Sequence, residues 1–284
     1  MAAQAAYGAP LATAAAQWYF SDDDLANTPS QTGSDYSASP YGKTLSAAEE
    51  QERRQSGCNF IHNVVQRLKM HQYVASTACV LFHRFYMRQS LPQYHHYETA
   101  GACVLVASKI EENKRGFKEI AHACAFVGVK GNVHEAERSR DKWERLLRRQ
   151  EIVLLENCCF DLDIAHPYAF IDALAEEFAI PVYVVKAATA HVNDALRTTV
   201  CLRHRPEVVA VAALYLAIAI QGHAFSGSLL ASRLVALPPA PEAEGDVHAC
   251  MLQMLAFYDR EAEAEREHAR FQKQQQQQQH RLRT

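Results

Sequence analysis

The chain has 284 residues, 29 Lys and Arg against 32 Asp and Glu, a formal net charge of −3 and a hydrophobic content of 49%. That length supplies one large or two ordinary domains with a sizeable core, and the acidic balance gives no general drive toward nucleic acid or a membrane surface. No run of about 18 apolar residues is present for a membrane span, and the first residues lack the basic-then-apolar pattern of a secretory signal.

Residues 1–16, Ala-rich with Gly8 and Pro10, read as disordered. Trp18-Tyr19-Phe20 is an aromatic anchor. Ser21 followed by Asp22, Asp23 and Asp24 is a helix start, a capping hydroxyl with acids on the positive end of the dipole. That short helix stops before Pro29, and residues 29–44, with Gly, Ser and Pro and no period, read as a loop. From Leu45 to about Leu68 the period is helical, with Phe60, Ile61, Val64 and Val65 on one face. A second helix is expected over Tyr73–Gln89 and a third over Tyr94–Glu112.

The third helix organises the rest. Ala100–Ala107 is apolar on every face, so it is buried all round, and its small residues allow close helix crossings. Polarity returns at Lys109, Glu111 and Glu112, where the helix surfaces. A shorter helix, Gly116–Phe126, is closed by Gly128 and Gly131. A long one, Glu135–Cys159, is charged early and apolar late (Ile152, Val153, Leu154, Leu155). Phe160–Ile164 leads to His166-Pro167, which breaks it and marks a linker.

The pattern then starts over. Helices are expected over Pro167–Phe178, Pro181–Leu202 and Pro206–Gln221, the last again apolar nearly all round. Glu98–Ala107 and Glu207–Leu216 share a Glu-led, small-residue character, each at the third helix of its set. This implies two similar helical units in tandem. Ser226–Leu237 and Asp246–Arg270 would complete the second, before a low-complexity Gln run at 272–279. No strand pattern stands out, so the fold class is all-α.

Eight cysteines are scattered with no CxxC motif, as small buried hydrophobes in a reducing compartment. His83, His95, His96 and His122 lack i, i+4 ligand spacing with a carboxylate. No GxSxG, phosphate-binding Gly-rich loop or HExxH occurs. With no catalytic constellation, the sequence points to a binding module that is not an enzyme and needs no cofactor or metal. Glu151 interrupts the apolar late half of a long helix, and a carboxylate there should be paired or hydrogen-bonded.

A set of short motifs resembles the transcriptional cyclins of the cyclin T and cyclin K type: Trp18-Tyr19-Phe20, Thr28-Pro29-Ser30, His83-Arg84-Phe85-Tyr86, Ala107-Ser108-Lys109-Ile110-Glu111-Glu112, Phe160-Asp161-Leu162, His166-Pro167-Tyr168 and Val192–Thr198. Together they cover about residues 17–222. Cyclin L is a close relative. The resemblance implies two tandem five-helix cyclin boxes, at 45–164 and 165–271, preceded by an N-terminal helix and loop at 17–44 and followed by a disordered Gln-rich tail at 272–284. It implies a nuclear, non-catalytic regulatory subunit that binds and activates a cyclin-dependent kinase, with the C-terminal tail of RNA polymerase II as the substrate of the complex. By residue matching it assigns Lys109, Glu151, Ile110, Glu112, Leu155, Phe160 and Leu162 to the kinase-binding surface. Trp18, Tyr19 and Phe20 become an auxiliary N-terminal contact. The stretch Gly57-Cys58-Asn59-Phe60-Ile61 stands where cell-cycle cyclins carry a Met-Arg-Ala-Ile-Leu docking patch, so no such substrate-docking site is expected. Alternatives are a cyclin-L-like splicing regulator, a transcription factor IIB-like adaptor that grips DNA, or a helical metalloenzyme using the histidines. The acidic charge and the lack of a zinc ribbon speak against the second, so direct DNA binding is not expected, nor is a membrane partner.

Overall fold

The computed structural model describes residues 17–33, 44–220 and 244–281. Two short N-terminal helices, α1 (Asp22–Ala26) and α2 (Pro29–Thr32), precede a first group: α3 (Ala47–Arg67), α4 (Gln72–Phe85), α5 (His96–Ile110), α6 (Phe117–Gly128) and α7 (Val133–Asn157). A second group follows: α8 (Pro167–Phe178), α9 (Val182–Ala195), a 3-10 turn (Thr199–Leu202), α10 (Pro206–Ile220) and α11 (Glu244–Arg281). The expected helix at 226–237 lies outside the described residues. Among those described, all regular structure is helical. The all-α fold, with a second helical group following the first, is what the sequence led us to expect.

Every residue of α5 from Thr99 to Ser108 is buried, and α5 packs against α3, α4, α6 and α7. In the second group α10 plays the same part, packed against α8, α9 and α11, with Val209–Leu214, Leu216 and Ala217 buried. The repeat of a waterless third helix is therefore the repeat of the architecture. Small residues permit it. A Cβ on Gly101 would stand 3.0 Å from Trp143 and 3.1 Å from Leu147, where α7 crosses α5.

The two groups share one continuous core. At their junction Ser76 Oγ lies 2.8 Å from the Tyr168 hydroxyl, which donates to Asn193 Oδ1 at 2.6 Å. Gln72 Nε2 donates to the same oxygen at 2.8 Å. The buried His83 reaches the Leu196 carbonyl at 3.2 Å through Nε2.

Several boundaries move for local reasons. Pro29 opens a one-turn helix inside the expected loop, as its fixed φ suits the first helical position. α4 ends at Phe85, four residues early. There the buried Arg54 donates to the carbonyls of His83 (3.2 Å) and Tyr86 (3.0 Å), taking acceptors that a continuing helix would use. The expected helix 181–202 divides because Thr198 is extended and caps Val200 N with its own hydroxyl. α11 does not stop near Arg270 but runs through the Gln tract to Arg281, consistent with the good helix propensity of Gln.

The N-terminal strap is held by a buried ion pair. Glu50 and Arg54 are each 3% exposed. Arg54 Nε donates to Glu50 Oε1 at 2.7 Å, while Thr28 (2.5 Å) and Gln31 (2.9 Å) donate to the other carboxylate oxygen. A buried charge is tolerable only when its partners are this complete.

Residues 57, 58, 60 and 61 are buried, so this stretch offers core rather than a docking surface. A Cβ on Gly57 would stand 2.2 Å from the buried Phe82 ring. Gly57→Ala is expected to cost about 1–3 kcal/mol through overpacking, read as a lower denaturation midpoint with native helical content retained.

Candidate functional site

The site begins at the exit of α5. The helix cannot remain apolar once it leaves the core, and its last turn carries Lys109, a cation at the negative end of the helix dipole. The Lys109 ammonium donates to Glu151 Oε1 on α7. The Glu151 side chain is 21% exposed and that of Lys109 52% exposed, so the carboxylate is partly sunk and the ammonium faces outward. This is the pairing that the position of Glu151 required. Ile110 is half-buried against the core, and Glu112 is exposed on a left-handed turn (φ 50°).

Glu111 turns the other way. Its carboxylate accepts from Thr77 Oγ1 at 2.5 Å and lies 3.8 Å from His166 Nε2, tying the α5 exit to α4 and to the linker between the groups. Lys109, Glu111 and Glu112 thus divide into a surface pair, an internal brace and an exposed turn. Spacing does not tell them apart.

Along α7, Leu147, Gln150, Leu154 and Cys158 form the buried stripe. Leu155 is half-buried, one turn beyond Glu151. Ile152 belongs to the apolar late run yet is 60% exposed. The sequence reading missed it, and the signal was an apolar residue off the 147-150-154-158 stripe. Phe160 is 65% exposed, while Leu162 packs partly on the core.

Phe160 is turned outward by a strained exit. Cys159 and Phe160 both have positive φ (55° and 54°), a conformation that costs a non-glycine residue about 1–2 kcal/mol. Several bonds hold it. Phe160 N donates to Leu155 O at 2.9 Å and Asp161 N to Cys158 O at 2.9 Å, and Arg88 Nη1 contacts Cys159 Sγ at 2.7 Å. Trp18 completes the brace. Its ring is buried under the guanidinium groups of Arg84 and Arg88, 4.9 and 4.8 Å away, and its Nε1 donates to Asp161 Oδ2 at 2.8 Å.

The aromatic triplet does not act as one unit. Trp18 braces the α7 exit, Tyr19 lines a cleft between the two groups beside Arg84 and His166, and Phe20 N donates to Leu202 O at 2.8 Å. The structure therefore brings Lys109 and Glu151 into contact, with Ile110 and Glu112 adjoining in the chain and Leu155 one turn on. Phe160 and Leu162 flank Asp161, and of the N-terminal three only Trp18 reaches that exit.

Several histidines are held neutral by burial. Desolvation lowers the pKa of His166, opposed by the Glu111 carboxylate. Burial likewise lowers His62, His191 and His204, and His96 falls to about 4. Below about pH 6.5 the unfolded chain protonates these groups while the folded one resists, so stability is full above that pH and is lost as pH falls toward 4. The melting temperature is expected to drop between pH 7.5 and pH 5, and to drop less in His96→Gln.

Residues 31–163 match the family model "Cyclin, N-terminal domain". The chain is 37% identical over 206 residues to cyclin pch1 of Schizosaccharomyces pombe (71% of this chain, 57% of that protein). It is 34% identical over 204 residues to human cyclin-K (70% and 33%) and 31% identical over 210 residues to cyclin-T1-1 of Oryza sativa subsp. japonica (72% and 45%). The chain thus spans between a third and somewhat over half the length of these relatives. Among solved structures it resembles a chain of the yeast TFIIK complex (TM-score 0.63, 17% identity, 86% of this chain and 99% of that one) and one of the yeast RNA Pol II CTD kinase CTDK-1 complex (TM-score 0.58, 17% identity, 72% and 63%). At that identity the likeness speaks for the fold. The chain belongs to the cyclins, and the relatives it matches are of the transcriptional kind.

Proposed function

We propose that this chain is a non-catalytic regulatory subunit that binds and activates a cyclin-dependent kinase acting in RNA polymerase II transcription. The carrying observation is the Lys109–Glu151 pair, with the exposed Ile152 next in the chain on α7 and the exposed Phe160 at the exit of the same helix. An outward ammonium fixed by a half-sunk carboxylate can bond a partner's backbone carbonyls, while the carboxylate's other oxygen can take its amides. Apolar neighbours then exclude water from those bonds. In this reading residues 45–164 are the box that meets the kinase, residues 165–271 the second box, and Ile110, Glu112, Leu155, Phe160 and Leu162 surround the ionic centre. Trp18 acts through Asp161, keeping the exit rigid.

Kinase activation needs an ion pair between a strand lysine and a glutamate on the kinase's αC helix. The cyclin docks on that helix and favours its inward position, shifting a population while supplying no catalytic residue. The cyclin relatives, cyclin-K and cyclin-T1-1 among them, and the fold shared with chains of the TFIIK and RNA Pol II CTD kinase complexes support a kinase partner and the polymerase tail as the substrate of the complex. Action there places the protein in the nucleus.

The test separates binding from folding. An exposed ion pair contributes at most about 1 kcal/mol to its own fold, whereas breaking a desolvated interfacial charge contact costs about 2–5 kcal/mol. Lys109→Glu is expected to weaken association with the co-purifying kinase by about thirtyfold or more while leaving circular dichroism and melting temperature near wild type. Normal kinase activation by this variant would show that another surface does the docking.

A further inference from the structure

Away from the Lys109–Glu151 pair, three arginines from the second group face one cleft of about 280 Å³, closed on the other side by α2 and the start of α3. Arg197 follows α9, Arg203 follows the 3-10 turn and Arg260 lies on α11. Arg54 forms the floor, but Glu50 neutralises its charge and its donors are already used.

The other three differ in how they are held. Arg197 stands 3.6 Å from Asp194 and 3.7 Å from Glu261, both beyond hydrogen-bond length. Its guanidinium is 5.0 Å from the Phe257 ring centre, and its buried Nε has no partner among the described residues. Arg203 pairs with Asp22, whose side chain is 85% exposed. Arg260 meets the Gln51 amide, whose oxygen, when turned toward it, accepts from Nη2 at 2.7 Å and from Nε at 3.1 Å. The Thr198 and Thr199 side chains complete the polar wall, and Leu25 and Ala256 supply apolar edges.

Guanidinium groups arriving from three elements suit a compact tetrahedral dianion, which can take paired N–H donors from each. A carboxylate has too few oxygens to meet all three. The rim selects further. Asp22, Asp194 and Glu261 stand beside these arginines, so the neighbouring phosphates of a nucleic acid would meet like charge, whereas a single phosphate need displace only the exposed Asp22 carboxylate, Asp194 and Glu261 being held in addition by the Tyr258 hydroxyl and Gln55 Nε2. The apolar edges give the residues beside a phosphorylated side chain something to lie on.

We propose that this cleft binds a phosphoserine or phosphothreonine side chain of a protein partner. The proposal stands apart from the Lys109–Glu151 surface, so either can fail alone.

The test is fluorescence anisotropy on the full chain with a short labelled peptide carrying one phosphoserine among neutral residues, and with its unphosphorylated twin. The phosphopeptide is expected to bind at least about tenfold more tightly than the twin. Arg203→Ala with Arg260→Ala should lose most of that difference at an unchanged melting temperature, and Asp22→Asn, which removes a competing carboxylate, should tighten binding. Equal binding of the two peptides would overturn the proposal. So would an undiminished affinity in the double variant, displacement by inorganic phosphate at concentrations equal to the peptide's, or preferential binding of a single-stranded oligonucleotide. If the double variant fails to fold, the opposite-signed Asp22→Asn effect decides: no gain, or weaker binding, sinks the idea.

Discussion

A helix with no wet face governs this molecule. From Thr99 to Ser108, α5 touches protein on all sides, so it has no solvated stripe to fix its rotation. Its place is set by close crossings that small residues allow, such as Gly101 under Trp143 and Leu147. Its polar needs fall entirely at its ends. At the start the His95 side chain accepts from Tyr97 N. At the finish Lys109 emerges beside the α7 carboxylate. The proposed docking rim is where a buried axis has to surface, and α10 repeats the buried axis in the second group.

Buried polar connections hold the two groups and the N-terminal strap together. Tyr168, Asn193, Gln72 and Ser76 share hydrogen bonds across the junction, and Glu111 with Thr77 and His166 joins the rim to the linker. Glu50 and Arg54 bind the strap and close the end of α4 together. Such pairs add less net stability than their bond count suggests, because desolvation offsets the attraction. They do fix geometry, since any other register would leave a buried charge unmet. Rigid support of that kind is what a docking surface needs, because each side chain already ordered is one whose freedom need not be lost on binding.

The α7 exit shows how local strain is sustained. Two successive left-handed non-glycine residues persist because Trp18, Asp161 and Arg88 hold the chain from outside the turn. The outcome is an aromatic ring in solvent at Phe160, a costly exposure that fits a surface meant to be covered.

The sequence by itself determined the helical class, the tandem repeat, the waterless third helices and the need for a partner at Glu151. These depend on periodicity and on the cost of burying charge, both local in the chain. The helix start at Ser21, with its acids at 22–24, is legible for the same reason. Only the tertiary structure decided that Glu111 turns inward while Lys109 faces out, that Ile152 and Phe160 are exposed, and that Trp18, Tyr19 and Phe20 part company. It also decided the early end of α4, where a guanidinium from α3 takes the last carbonyls, and the gathering of Arg197, Arg203 and Arg260 around one cleft. Each of these is set by contacts between residues far apart in sequence, whose outcome depends on which surfaces the helices present once the core has closed.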